Sequence, residues 1–171
     1  MVTVQDSRGR YINDLEAKDF IIYENKQKMP ITYFAHDQNA PLSLTVLLEV
    51  RGNMALENKF GDCHQALHFL AEKLLSPQDE IALLVFADGQ VEVAAPHSRD
   101  KSSFLEALDC EKPLGMTALY DAVVASPEYA VRAQNEKRAL LLMADGIEND
   151  SQITAELALE IARRVEILLY E

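Results

Sequence analysis

From Leu42 onward, short apolar runs alternate with stretches whose apolar residues recur at helical spacing. Leu44 to Glu49, Glu80 to Phe86 and Ala139 to Met143 are continuous apolar runs bounded by turn signals. That pattern suits strands buried on both faces, as in parallel sheets covered by helices. Between them, Phe60, Ala66, Leu67, Leu70 and Leu74 predict a helix over Met54 to Leu75, stopped by Ser76-Pro77. Further helices are predicted over Lys101 to Leu108, over Thr117 to Ala125 with an interruption at Ser126-Pro127, and over Gln152 to Arg164, opened by Asp150-Ser151. Asp88-Gly89 is a two-residue hairpin signal, so Val91 to Ala95 returns as an antiparallel edge strand. Val165 to Tyr170 reads as a last strand. Strands alternating with helices predict an α/β fold: a doubly wound, Rossmann-like, mostly parallel sheet with helices on both faces.

The first 41 residues differ. Met1 to Gln5, Phe20 to Tyr23 and Ile31 to Phe34 read as short, half-polar strands. Asp6-Ser7-Arg8-Gly9 is a turn cluster, and Asn25-Lys26 is a hairpin tip within the polar stretch Glu24 to Lys28. So few short strands bury little by themselves. They are expected to form a small β-rich segment, residues 1–41, packing on a main body of residues 42–171. Gln38 to Pro41 serve as the linker.

Charge changes the picture only for the main body. Residues 1–41 carry five basic and six acidic residues, the rest 11 and 22, for a net charge of −12. An acidic body repels phosphate backbones, so no nucleic-acid partner is expected. No apolar run is long enough to span a bilayer, and MVTVQD opens as a strand rather than a signal peptide. Cys63 and Cys110 are too few for a disulfide framework and read as two free or partly buried thiols.

In parallel sheets, ligands bind beyond the carboxyl ends of the strands, where strand order reverses. Three segments meet that edge: Glu49-Val50-Arg51-Gly52-Asn53, Gly115-Met116-Thr117-Ala118-Leu119-Tyr120-Asp121, and Ala144-Asp145-Gly146. With LSLTVLLEVRGNM standing where that family reads close to D-x-S-G-S-M, followed by GMTALYDAV and LLMADGIEND, the chain resembles the von Willebrand factor type A (VWA) domain over Pro41 to Glu171. The stretch DSRGRYINDLEAKDFIIYENKQK also resembles the segment preceding such domains in a group of bacterial proteins. The resemblance implies strand order 3-2-1-4-5, a protein-binding rather than catalytic role, and an extracytoplasmic or secreted place in a bacterium. It also implies a further helix and strand that this chain would lack. The open edge at Ile167 to Tyr170 would then invite a homodimer.

The family's metal-ion-dependent adhesion site takes a carboxylate and two hydroxyls from the first loop, a threonine from the second and an aspartate from the third. Mg²⁺ suits such hard oxygen donors. Here Thr117 and Asp145 fit, but Glu49 stands for the aspartate, Arg51 for the first serine and Asn53 for the second. A guanidinium offers no acceptor and carries a permanent charge. At about 5 Å and an effective dielectric of about 20, it would repel a divalent cation by roughly 6 to 7 kcal/mol. The expectation is an altered site of Glu49, Arg51, Asn53, Thr117 and Asp145. Arg51 would replace the cation by pairing with Asp145 or Glu49, and no cofactor would be needed. The alternative is a competent Mg²⁺ or Mn²⁺ site ligated by Glu49, Asn53, Thr117 and Asp145 with Arg51 turned out. Structural readings stand beside these: Asn53 and Thr117 could be N-caps, and Asp145-Gly146 a strand-ending turn.

Elsewhere, His64 and His68 share a helix face at i, i+4 with Asp62 nearby, a possible metal pair, but no Glu stands between them and a solvated helix face is the expected reading. A small hydrolase or nucleotide-binding enzyme on the same sheet would need a phosphate loop or a nucleophile–base pair, and the chain carries neither motif.

Overall fold

A computed structural model describes residues 2, 4–35, 40–87, 90–113, 118–147, 151–164 and 168–170, with backbone only at Asn53, 162–164 and 168–170. The chain divides into two compact units, Met1–Asn39 and Ala40–Glu171.

In the first unit, the Asp6 turn forms as predicted. The Asp6 side chain accepts hydrogen bonds from the Arg8 and Arg10 amides at 2.8 and 3.0 Å. The strand expected over Met1 to Gln5 is reduced, among the described residues, to one antiparallel bridge between Gln5 and Tyr11. The Asn25-Lys26 tip also forms, with φ of 50° and 66°. It joins β1 (Ile22–Glu24) to β2 (Gln27–Met29), pairing Glu24 with Gln27 and Ile22 with Met29. The return strand is therefore the polar stretch and not Ile31 to Phe34. A two-residue tip with both residues left-handed fixes the register at once, however polar the returning residues are.

The second unit is a five-stranded sheet of order β5-β4-β3-β6-β7. It contains β3 (Leu42–Glu49), β4 (Glu80–Ala87), β5 (Gln90–Ser98), β6 (Lys137–Met143) and β7 (Leu168–Tyr170). Numbered from β3, this is the predicted order 3-2-1-4-5. β3 pairs parallel with β4 and β6, β7 parallel with β6, and β5 antiparallel with β4. β7 and β5 are thus the edges of the described sheet; Asp88-Gly89, read as the β4–β5 turn, lies outside the described residues. Alternation along the central strand supplies both faces. Leu44, Val46, Leu48 and Val50 pack with Leu67 and Ala71, and with Phe104 and Leu108 of α2 (Ser102–Cys110). Leu47, with Leu84, Phe86 and Leu140, packs against Leu119 and Ala122 of α3 (Leu119–Ala130).

Helix boundaries depart from the sequence pattern in three places. The long helix expected from Met54 begins instead as a 3₁₀ segment, Gly52–Asn58, broken at Leu56 and Glu57. The α-helix proper, α1 (Lys59–Phe69), starts after Glu57 and Asn58 at φ of 53° and 60°, and ends in a π turn, Leu70–Leu74. Asn58 then donates from Nδ2 to Asp62 at 3.0 Å, and its amide lies over Gly61 in the space a Cβ would take. α3 runs through Pro127 to Ala130 rather than breaking at Ser126-Pro127. A proline leaves the carbonyl four residues back without its donor. That carbonyl belongs to Val123, and the buried Ser126 hydroxyl donates to it at 2.9 Å. α4 (Ala155–Arg164) begins later than Gln152. The backbone amides of Gln152 and Ile153 are instead held by the Asp121 carboxylate of α3 at 3.1 and 3.2 Å.

The amino edge of the sheet is closed by a buried polar network. Glu80 accepts from the Ser43 hydroxyl and the Gln134 amide, each at 2.5 Å, while Ser43 accepts from the Asn135 amide at 3.1 Å. Burial pushes the Glu80 carboxyl up, but these bonds and the charge of His97 outweigh it and hold the group below its ordinary value.

Candidate functional site at the carboxyl ends of β3 and β6

β3 leaves the sheet at Glu49, opposite Phe86 of β4, and β6 ends at Met143 opposite Leu48. Crossovers from β3 and β6 run to opposite sides here, so the loops after the two strands face each other across the switch point. Glu49 is fully buried. Its Oε2 accepts from the Asp145 backbone amide at 3.0 Å, so the carboxylate ties the end of β3 to the loop after β6.

The position expected for a metal-binding serine holds a buried guanidinium. Arg51, 5% exposed, places Nη1 3.9 Å from Glu49 Oε1 and donates to the Ile147 carbonyl at 3.3 Å. It therefore ties the first loop to the third. Asp145 accepts from the Ile147 amide through Oδ1 at 3.0 Å, forming the strand-ending turn. Its Oδ2 is buried without a hydrogen bond, and Lys59 Nζ stands 3.6 Å away. Of the predicted set, Glu49, Arg51 and Asp145 are brought together. Arg51 lies nearest Glu49 among the two carboxylates proposed for it. Asn53 lies within the 3₁₀ segment, whose N-cap position belongs to Arg51, so it does not cap a helix at Met54. Thr117 lies outside the described residues.

Lys59 was not anticipated. It is the single lysine or arginine between Arg51 and Lys73, a signal the sequence carries. What brings it to Asp145 is the left-handed break before α1, which the helical pattern from Met54 conceals. One carboxylate faces a guanidinium and the other an ammonium.

Cys63 and Cys110 are both free. Burial, then the charges of Asp62 and Glu49, push the Cys63 thiol above its ordinary value, which keeps it protonated. Asp62, expected beside His64 and His68, is held by Asn58; the carboxylate that meets the two histidines is Asp109 of α2.

No family model matches the chain, and no curated protein matches it. Solved structures do. The vWF domain of the type V pili tip protein Mfa5 from Porphyromonas gingivalis superimposes with a TM-score of 0.58 at 12% identity, over 68% of this chain and 43% of that one. BatB from Bacteroides thetaiotaomicron matches with a TM-score of 0.63 at 18% identity, over 75% of this chain and 64% of that one. The SpRpn10 VWA domain matches at 0.58 and 14%, over 73% of this chain and 68% of that one. The chain thus spans less than half of the first of these and under two thirds of the second. Among the described residues, no helix is long and apolar enough to cross a membrane. Strand order, two-faced helical cover and these superpositions together establish that residues 40–171 have the fold of a von Willebrand factor type A domain.

Proposed function

We propose that this domain is a non-enzymatic protein-interaction module of the VWA type whose adhesion site works without a metal ion, Arg51 standing in for the cation. The observation that carries the reading is the buried Arg51 guanidinium held between Glu49 and the Ile147 carbonyl. In a metal-bearing site, the ion neutralises the clustered carboxylates and ties the loops together. Here Arg51 and Lys59 supply the positive charge, and the hydrogen bonds of Arg51 and Glu49 supply the tie. A partner protein would dock on the surface formed by the loops at this edge. An extracytoplasmic setting belongs to the same reading, supported by likeness to a pilus tip protein.

A second reading has its own observation. Asp145 Oδ2 is buried and accepts no hydrogen bond, as a ligand oxygen awaiting Mg²⁺ or Mn²⁺ would be. Titration calorimetry of both ions into the parent separates the two. It is run beside Glu49→Asp/Arg51→Ser/Asn53→Ser, with and without Lys59→Ala. A silent parent and a binding variant are the expected result. Micromolar to millimolar binding by the parent favours the second reading. Silence from every protein overturns the idea that Arg51 has displaced an ion.

A further inference from the structure

The two histidines on α1 do not face solvent alone. His64 Nε2 and His68 Nε2 lie 2.9 and 2.8 Å from the same atom, Oδ1 of Asp109, in the last turn of α2. Their rings stand 4.6 Å apart, tilted by 35°. Helical i, i+4 spacing places both rings on one face, and the packing of α2 on the same side of the sheet brings the carboxylate to them. The three donor atoms lie within 4.8 Å of one another.

We propose that His64, His68 and Asp109 form a binding site for a borderline transition-metal ion, Zn²⁺ first, that clips α1 to α2 and leaves one coordination position open. Two imidazoles and one carboxylate are a donor set that zinc accepts, with bonds of about 2.0–2.2 Å. Donors of a tetrahedral site then stand roughly 3.3 Å apart. The two His–Asp109 distances must open by about 0.5 Å, for which Asp109 on the surface can rotate, and the two ring nitrogens, at most 4.8 Å apart, draw together by up to about 1.5 Å. Zinc takes each ring as its Nδ1–H tautomer, so the proton on Nε2 moves to Nδ1 by exchange with solvent and Nε2 offers its lone pair to the ion. The opposite nitrogen of His68 already has a carboxylate beside it, with Nδ1 3.7 Å from Glu72 Oε1. A carboxylate there fixes ring orientation and turns Nε2 toward the ion. The site lies apart from the Glu49–Arg51–Asp145 cluster in its residues and in its donor chemistry.

The test is titration of Zn²⁺ into the whole chain with Mg²⁺ in excess, together with the visible spectrum of the Co²⁺-loaded protein. One ion per chain and a tetrahedral Co²⁺ spectrum without a thiolate band are expected. His64→Gln, His68→Gln and Asp109→Asn should each weaken binding by more than about 100-fold, and Glu72→Gln by about 10-fold. His97→Gln, a histidine outside the cluster, should leave it unchanged. Circular dichroism of the metal-free variants checks that each is folded. Asp109→Asn, at an exposed helix end, keeps the test decisive if a histidine variant fails to fold. Zinc binding that survives all three ligand changes, a thiolate band, or an adventitious surface ion only would overturn the assignment and leave the cluster as a hydrogen-bonded clasp.

Discussion

Replacing Arg51 with methionine tests whether the guanidinium compensates buried charge. The change keeps most of the apolar stem and deletes the cation, while Glu49 stays fully buried with Oε2 on the Asp145 amide. At the observed 3.9 Å, the pair's Coulomb attraction is about 4 kcal/mol for an effective dielectric of about 20. Both side chains are almost wholly shielded from solvent, so screening removes little of this. Stripping one partner from a buried pair costs about 3–5 kcal/mol, because the other charge is stranded. The lost bond to Ile147, long at 3.3 Å, adds about 1 kcal/mol at most. A destabilisation of about 3–6 kcal/mol is expected. Glu49→Gln/Arg51→Met should recover a large part of it, giving a coupling energy of about 2 kcal/mol or more. Urea unfolding followed by circular dichroism, on the parent, both single variants and the double variant, completes the cycle. An Arg51→Met cost below about 1 kcal/mol, with coupling under about 0.5 kcal/mol, would refute the reasoning and remove the main support for a site neutralised from within.

Two further predictions concern the scaffold. Ser126→Ala should cost about 1–3 kcal/mol by leaving the Val123 carbonyl without a donor, and Ser126→Ala/Pro127→Ala should regain part of this by restoring the backbone N–H; a double variant no more stable than the single in thermal melts would show that the hydroxyl does not replace the missing bond. Burial pushes the His97 imidazole below its ordinary 6.5, with Glu80 opposing and Arg138 adding to the shift, and Thr45 Oγ1 3.0 Å from its Nε2. The unfolded chain therefore binds a proton that the folded chain resists, so this contribution is complete above about pH 6.5 and is lost as pH falls below it. Unfolding free energies measured from pH 7 to pH 5 should fall less steeply in His97→Gln than in the parent, and identical slopes would exclude the effect.

How far each feature was legible depends on the range of its cause. The central strand could be read from sequence because continuous apolar residues need cover on both faces, and Leu44 to Glu49 obtains it. Strand order followed from the resemblance of its three ordered motifs, and the structure bears it out. Glu49, Arg51 and Asp145 were marked by being polar at strand ends. Local backbone geometry was less legible. The Asn25-Lys26 tip overrode the polarity of β2, the left-handed Glu57–Asn58 pair cut a helix that periodicity had drawn unbroken, and a serine hydroxyl carried α3 through a proline.

Sequence by itself thus determined which residues must be buried and which charges must find partners, because hydrophobic burial and the cost of an uncompensated ion act through residue type. The choice of partner was decided only by tertiary structure. Arg51 could have met Glu49 or Asp145, and the chain path gives it Glu49 and the Ile147 carbonyl while Lys59 goes to Asp145. His64 and His68 pointed along the sequence to Asp62, but packing of two helices on one sheet face brings Asp109, more than forty residues away, to both rings. Contacts of that separation rest on how elements pack, and no local pattern encodes them.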